Sequence, residues 1–453
     1  MIRRPFVRLA LMAMAAVPLF AACSLDNQVM GVRGSPPGGS QFARVANIGT
    51  SLSSGFESGG INDSTQREGP MYQLAVAIGL TPGVDWFYPS FQSWGCPAPY
   101  TNPLTGARVG GVSAAFCGTR AAASAVPYMS NTAIPGLRAG HVLDLTYLAF
   151  PKTDTLKLAQ FITGGVNPIN MVLRQQPTFV TIEVGANDVL GASTNADTTL
   201  LTPVAAFTQI IGAIRDSLNT LNPRPGVAIA NLPSPGSIPH FTKASTLYTL
   251  KNVTCPALPG ALQAGIPYCS PLFTLDATCN TIANGGVGDA FLLPLATTGA
   301  ITSVLAAARA AKIDCGRDSV LVAIAGGGAP AVANAGLRLN VPAATAIGTR
   351  VAQLNGAIAA LATTENWALA DVNAAFLAQA ANIPVMPDII GNQLKLYGCP
   401  STLIGGAVAL SCTGTTTLFS QDGLHMSKAG YRVMAVAFAT AINAKYGSAL
   451  VVP

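Results

Sequence analysis

The stretch Arg44-Val45-Ala46-Asn47-Ile48-Gly49-Thr50-Ser51-Leu52-Ser53-Ser54-Gly55 decides the fold. Arg44 to Ile48 is a short apolar run of strand length, and it stops at a glycine that opens a serine-rich turn. A serine in such a turn stands at the carboxyl edge of a sheet, where ligands of open α/β folds bind. The same succession recurs downstream. Phe179 to Val184 predicts a second strand, ended by Gly185-Ala186-Asn187-Asp188, and Val227 to Ala230 a third. Helix-period stretches lie between and after them, at Pro70 to Ile78, Val204 to Leu221 and about Ala346 to Ala362, before a further strand at Trp367 to Val372. Strands alternating with helices predict an α/β fold with a mostly parallel central sheet. A last helix, Ser427 to Tyr446, places Met434, Phe438 and Ile442 on one stripe, and Lys445 followed by Gly447 is its C-terminal stop.

The 453 residues suffice for one large domain with insertions or for two smaller domains. Charged residues make up only 10% of the chain, so its surface is polar through Ser, Thr, Asn and backbone groups. The formal charge is +6; without Arg3, Arg4 and Arg8, the remaining 22 basic and 19 acidic groups leave +3. No arginine or lysine run exists that would track phosphates, which argues against nucleic-acid binding.

Those three arginines precede an apolar run, Leu9 to Ala22, which has the form of a secretory signal over residues 1–22. It is shorter than the roughly 20 apolar residues a membrane span needs. Its end, Leu19-Phe20-Ala21-Ala22-Cys23, resembles the lipobox of bacterial lipoproteins, with Phe20 where leucine is usual. That resemblance implies acylation of Cys23 and membrane attachment through a lipid. Ser24 in place of Asp favours the outer membrane of a Gram-negative cell. Residues 23–41 are rich in Gly, Pro and Ser and suit a flexible tether, so the folded domain is expected over 42–447, with a short tail at 448–453.

Export agrees with the cysteines. Cys96, Cys117, Cys255, Cys269, Cys279, Cys315, Cys399 and Cys412 form an even set once Cys23 is set aside, and disulfides are expected. Spacing suggests Cys96 with Cys117 and Cys399 with Cys412, whereas the middle four can pair in three ways. No C-x-x-C appears and histidines are few, which disfavours a structural zinc. The strand and helix pattern is lost over 234–342, a Gly-, Pro- and Cys-rich stretch read as a disulfide-braced insertion and a possible lid.

Only three histidines occur, His141, His240 and His425, so any imidazole base must be one of them. His425 stands just before the last helix with Asp422 three residues ahead. A turn can bring that carboxylate to Nδ1 of the ring, where it fixes the tautomer and stabilises an imidazolium. His141 and His240 are read as a turn or helix residue and a loop residue. Asn187, at the end of a strand, offers an amide donor that can be aimed at a developing oxyanion. Asp188 is read as structural, holding the turn beneath Asn187. The elbow G-x-S-x-G of α/β-hydrolases is absent.

Taken in order, Gly49-Thr50-Ser51-Leu52-Ser53, Gly185-Ala186-Asn187-Asp188 and Asp422-Gly423-Leu424-His425 resemble the first, third and fifth blocks of the SGNH hydrolases, also called GDSL lipases and esterases. Asn131-Thr132-Ala133-Ile134-Pro135-Gly136 matches the second block, and Thr50 stands where the family name places Asp. The resemblance implies a three-layer α/β/α sandwich and hydrolysis of carboxylic acyl esters through an acyl-enzyme. Ser51 would be the nucleophile, His425 its base and Asp422 the residue orienting His425. The N–H groups of Ser51 and Gly136 and the Asn187 side chain would form the oxyanion hole. No metal or organic cofactor and no obligate protein partner is implied, and Ser53, unlike Ser51, is given no part in the chemistry. The acyl and alcohol groups of the substrate stay open, and the alternative is a lipoprotein that uses the same fold as a non-catalytic binding module.

Overall fold

A computed structural model describes residues 38–102, 106–118, 129–147, 153–234, 240–257, 267–280, 291–294, 307–317, 339–379, 418–420 and 422–453, with isolated residues and short strands between them. The expectations for residues 1–22, Cys23, Cys399 and Cys412 lie outside the described residues.

Among the described residues, four parallel strands form the central sheet: β1 (Val45–Ile48), β2 (Phe179–Ile182), β3 (Gly226–Ala230) and β4 (Ala368–Ala370), hydrogen-bonded in the order β1-β2-β3-β4. The predicted α/β class with a parallel sheet is therefore the observed one. β4 ends two residues before the expected strand does. Asp371 accepts a hydrogen bond from the Ala374 N–H at 2.9 Å, and this cap starts a helix at Val372.

Successive strand residues point to opposite sides of the sheet and enter different cores. Val45, Phe179, Ala228, Ala230, Ala368 and Ala370 join one apolar cluster. Helices α2 (Pro70–Ile78), α7 (Val372–Leu377) and α8 (Lys428–Tyr446) complete it with Leu74, Ile78, Phe376, Met434, Phe438 and Ile442. Ala46, Ile48, Val180, Ile182, Val227 and Ile229 join a second cluster, completed by helices α3 (Pro168–Arg174), α5 (Val204–Asn219) and α6 (Val341–Thr364) through Val172, Phe207, Ile211, Ile214, Leu354 and Ile358. Apart from Asn47 and Thr181, which hydrogen-bond to each other, the strands are apolar on both sides because both sides are covered.

β1 has a further neighbour. Asn47 makes a parallel bridge to Asn131, with Asn47 N–H donating to Ser130 O at 2.6 Å and Thr132 N–H donating to Asn47 O at 3.0 Å. The chain thus leaves β1 toward one side, through residues 130–132, and later returns to the other side as β2. The reversal of winding falls at the carboxyl end of β1, which is where ligands of such sheets bind. Ser51 is at that end, the first residue of the short helix α1 (Ser51–Ser54).

Among the described residues three disulfides are present, Cys96–Cys117, Cys255–Cys269 and Cys279–Cys315, so the middle four cysteines pair with their nearest neighbours in sequence. Two of these bridges brace the insertion. It has a core of its own around Leu247, Tyr268, Phe273, Phe291, Leu293 and Ile313, and it meets the main sheet domain through Phe241, Leu292 and Leu339, which pack with Ala192 and Ile347.

Candidate active site

α1 holds Ser51 at its first position, where no helix carbonyl lies in reach of the N–H. The turn before it, residues 49–50, is packed against Glu183 at the end of β2. The Glu183 carboxylate accepts hydrogen bonds from the Thr50 N–H at 3.0 Å, the Thr50 hydroxyl at 2.8 Å and the Ser53 hydroxyl at 3.0 Å. A Cβ at residue 49 would lie 1.7 Å from Ser53 Oγ, so glycine is required there if Ser53 is to reach Glu183. Burial pushes the Glu183 carboxyl up to about 7, against the opposing pull of the Thr50 and Ser53 hydrogen bonds.

His425 and Asp422 lie on a tight loop before α8. The ring Nδ1 is 2.7 Å from Asp422 Oδ2, and the backbone N–H groups of Leu424 and His425 donate to Oδ1 at 2.9 and 2.8 Å. Burial works to raise the Asp422 pKa, but the adjacent His425 charge and these hydrogen bonds outweigh it and hold the carboxyl well below the usual carboxylate range. An anion at Oδ2 keeps the proton on Nδ1 and leaves Nε2 as the basic nitrogen.

The first and last parts of the chain are joined behind this pair. Gly59 N–H donates to Asp422 Oδ2 at 2.7 Å, and Ser58 N–H donates to Ser420 Oγ at 2.8 Å. The Phe56 ring lies against the His425 ring with centroids 4.7 Å apart, and the Tyr431 hydroxyl of α8 donates to Phe56 O.

Ser51, Asn187 and His425 line one pocket of about 610 Å³, measured with its open mouth. Its other walls are apolar, Leu52, Val189, Leu190 and Phe376 among them, which is the composition of a small-molecule site. Pro233, just before the insertion, and Ile238 within it also face the pocket, while the described residues between Cys255 and Cys315 contribute none of the lining. Asn187 is the second residue of helix α4 (Ala186–Asn195), and its Nδ2 donates to Leu137 O at 2.9 Å. An amide carries two N–H groups, so this bond orients the second one. Asp188 is fully buried and accepts from Ala139 N–H and the Thr202 hydroxyl, each at 2.8 Å, which fixes the start of α4.

Of the residues singled out in the sequence, Ser51, Asn187 and His425 are thus brought to one pocket, with Asp422 behind His425. Gly136 is near but not among the lining residues; its φ of +85° favours glycine, and Leu137 beside it binds Asn187. His141 is wholly buried, with its Nδ1 accepting from Arg138 N–H at 3.0 Å. His240 is closer to the site than its sequence context suggests. Its N–H donates to Gly423 O at 2.8 Å and its Nδ1 is 3.3 Å from Asp422 O. Ser53, given no part by the sequence, is 1% exposed and tied to Glu183. Glu183 itself was legible only as a lone charge at the end of an apolar run.

A second buried acid, Glu57, sits behind the Asp422 loop. Burial, then the charges of Glu68 and Asp422, push its carboxyl up to about 8, and its Oε2 has no hydrogen-bond partner. Between the ordinary value of 4.5 and about 8, the folded chain keeps a proton that the unfolded chain has lost. The stability this group contributes is therefore complete below 4.5 and declines as pH rises toward 8. Glu57→Gln removes that decline. We expect the variant to melt at or below the wild-type temperature at pH 5 and several degrees above it at pH 8.5. A difference in melting temperature that stays constant across this range would exclude titration of Glu57.

Among the described residues no group of three or more His, Cys, Asp or Glu side chains could hold a metal ion. Comparisons with protein-family models, with curated proteins and with solved structures find no match to this chain.

Proposed function

We propose that this chain is a serine hydrolase of the SGNH type, a three-layer α/β/α sandwich that cleaves carboxylic acyl esters. The observation that carries the proposal is the His425–Asp422 pair at 2.7 Å, with His425 lining the same apolar pocket as Ser51 at the carboxyl end of β1. Each residue pattern alone is common. Their meeting at the switch point of a parallel sheet, from positions hundreds of residues apart, is not a local turn effect.

In the proposed reaction Ser51 Oγ attacks the acyl carbon and His425 Nε2 takes the hydroxyl proton, while Asp422 stabilises the imidazolium. The negative oxygen of the tetrahedral intermediate is met by the Ser51 N–H and the oriented Asn187 amide, with the Gly136 N–H as the third expected donor. Collapse releases the alcohol with the proton from His425. Water, deprotonated by the same imidazole, then frees the acid and restores Ser51. The apolar walls favour a hydrocarbon acyl group, and among the described lining residues there is no Asp, Glu, Lys or Arg.

A fluorophosphonate probe tests the class directly. Expected is stoichiometric labelling of Ser51 in the folded protein and none after heat denaturation. Failure to label the native chain would favour the rival reading, a binding module with the same fold.

We also propose that the chain is exported and anchored through acylated Cys23, with the outer membrane as its address. No helix among the described residues is long and apolar enough to cross a membrane. Mass spectrometry of the natural N-terminus is expected to find a diacylglyceryl group on Cys23, and an unmodified chain beginning elsewhere would reject the anchor.

A further inference from the structure

We propose that Glu183 is a positioning residue for the nucleophile, clamping the turn over residues 50–53 through the Thr50 N–H and the Thr50 and Ser53 hydroxyls and so fixing the direction of Ser51; this rests on Ser51 being the nucleophile. Its partners flank Ser51 in sequence, one residue before it and two after, at 2.8 to 3.0 Å. Glu183 as a whole is 2% exposed. Burying an ionisable group there costs free energy that an apolar side chain of similar volume would not, so packing of β2 does not account for it.

The surroundings are built for this contact. Glu183 N–H continues the β1–β2 ladder by donating to Ile48 O at 2.9 Å, which places the side chain directly beneath residues 49–53. Gly49 leaves room for Ser53 Oγ to reach it. On the opposite side Asn131 Nδ2 donates to Ser53 O at 3.1 Å, and Asn131 is itself held by Asn47 at 2.8 Å. α1 has only four residues, too few to be rigid alone, so its orientation depends on such external bonds. Of these bonds, the Glu183 set alone grips side chains of the turn on both sides of Ser51.

Positioning of this kind acts on turnover and leaves the acyl pocket intact. Glu183→Leu removes all three acceptor contacts. Glu183→Gln keeps an oxygen for the Thr50 N–H and offers N–H donors to hydroxyls that can rotate to accept. The experiment measures kcat and KM on p-nitrophenyl esters and the rate of fluorophosphonate labelling per folded molecule, for these two variants, Thr50→Val, Ser53→Ala and the combination of Glu183→Leu with Ser53→Ala. A displacement of the reacting group by about 1 Å costs on the order of a hundredfold, so Glu183→Leu is expected to lose tenfold to a hundredfold in kcat and labelling rate, with KM changed less than about threefold. Glu183→Gln should recover most of the loss. Thr50→Val and Ser53→Ala should each lose about threefold to tenfold, and Ser53→Ala should add almost nothing to Glu183→Leu because the bond is already gone. Should Glu183→Leu fail to fold, the two partner variants carry the test. Full turnover in both partner variants, additive losses in the combination, or equal losses in the Gln and Leu variants overturns the clamp. A wild-type chain that does not label at all overturns instead the hydrolase reading on which it rests.

Discussion

Replacing Ser51 by alanine is expected to abolish ester hydrolysis, with kcat lowered by about 10⁴ to 10⁶, the range seen when a serine nucleophile is removed while the rest of its machinery stays in place. The residual rate would come from binding and from the oxyanion donors alone. The substitution should leave the fold as it is. Ser51 holds its surroundings through its backbone: its carbonyl accepts from the Phe56 N–H at 3.1 Å and from the Ser54 hydroxyl at 3.0 Å. No structural hydrogen bond depends on its own hydroxyl among those described. Circular dichroism and melting temperature should therefore match the wild type. A variant that keeps more than about a tenth of wild-type turnover would remove Ser51 from the mechanism, and loss of activity together with loss of fold would leave the role to be decided by labelling.

Asp422→Asn has the second largest expected effect, about 10⁴ in kcat. Both carboxylate oxygens receive donors: the His425 ring and Gly59 N–H at Oδ2, Leu424 and His425 N–H at Oδ1. An amide presents its NH₂ to one of these sets whichever way it turns. If NH₂ takes the place of Oδ2, it faces Nδ1 of His425 and forces the proton onto Nε2, where the ring can no longer accept from Ser51. If it takes the place of Oδ1, it opposes two backbone donors. A mismatched buried donor costs on the order of 1–3 kcal/mol, so stability at neutral pH should fall along with turnover.

The pH dependence of that stability separates the two effects. With its folded pKa depressed, Asp422 contributes stability that is present above the unfolded value of 3.8 and lost as pH falls toward the folded one. Asn cannot lose it, so wild type and variant should converge in strong acid. Measuring kcat at pH 7.5 and denaturant midpoints from pH 2.5 to 7 tests both halves. Turnover within tenfold of wild type would show that His425 does not need this carboxylate.

Much of the scaffold was legible from period and punctuation. α2 runs over the predicted residues 70–78, because Pro70 starts it and Gly79, in the left-handed region, ends it. α8 begins one residue after Ser427, whose hydroxyl caps it, and its stripe of Met434, Phe438 and Ile442 is wholly buried. Where the reading failed, a short-range signal was outweighed or passed over. Asn187-Asp188 looked like a turn, yet it opens the ten-residue helix α4. Residues 153–174 were given no structure although Pro168 sits at the start of α3. The strand pairs at Asp388–Ile390 with Gln393–Lys395 and at Ser401–Ile404 with Ala407–Leu410 flank Gly391-Asn392 and Gly405-Gly406, dipeptides suited to tight hairpins.

The site was legible in the residues whose types carry chemistry and not in those that hold them. Three histidines made His425 easy to weigh, and Asp422 at three residues' distance gave it a partner. Glu183, Glu57 and the Ser58 and Gly59 amides could not be read, because their relevance depends on which segments meet in space. Spacing alone also left the middle cysteines undecided among three pairings. The structure pairs them locally, Cys255 with Cys269 and Cys279 with Cys315.

The bonds from Ser58 and Gly59 to Ser420 and Asp422 give the chain a built-in order of events. Synthesis delivers Ser51 more than 370 residues ahead of His425, so on the proposed mechanism a growing polypeptide carries its serine over that whole span without the base that would activate it. Two amides whose partners lie more than 360 residues away also make completion of the site depend on contacts that carry a high loop-closure cost. On the proposed mechanism, a product cut short before Asp422 lacks both the base and the carboxylate that orients it and is expected to be inactive.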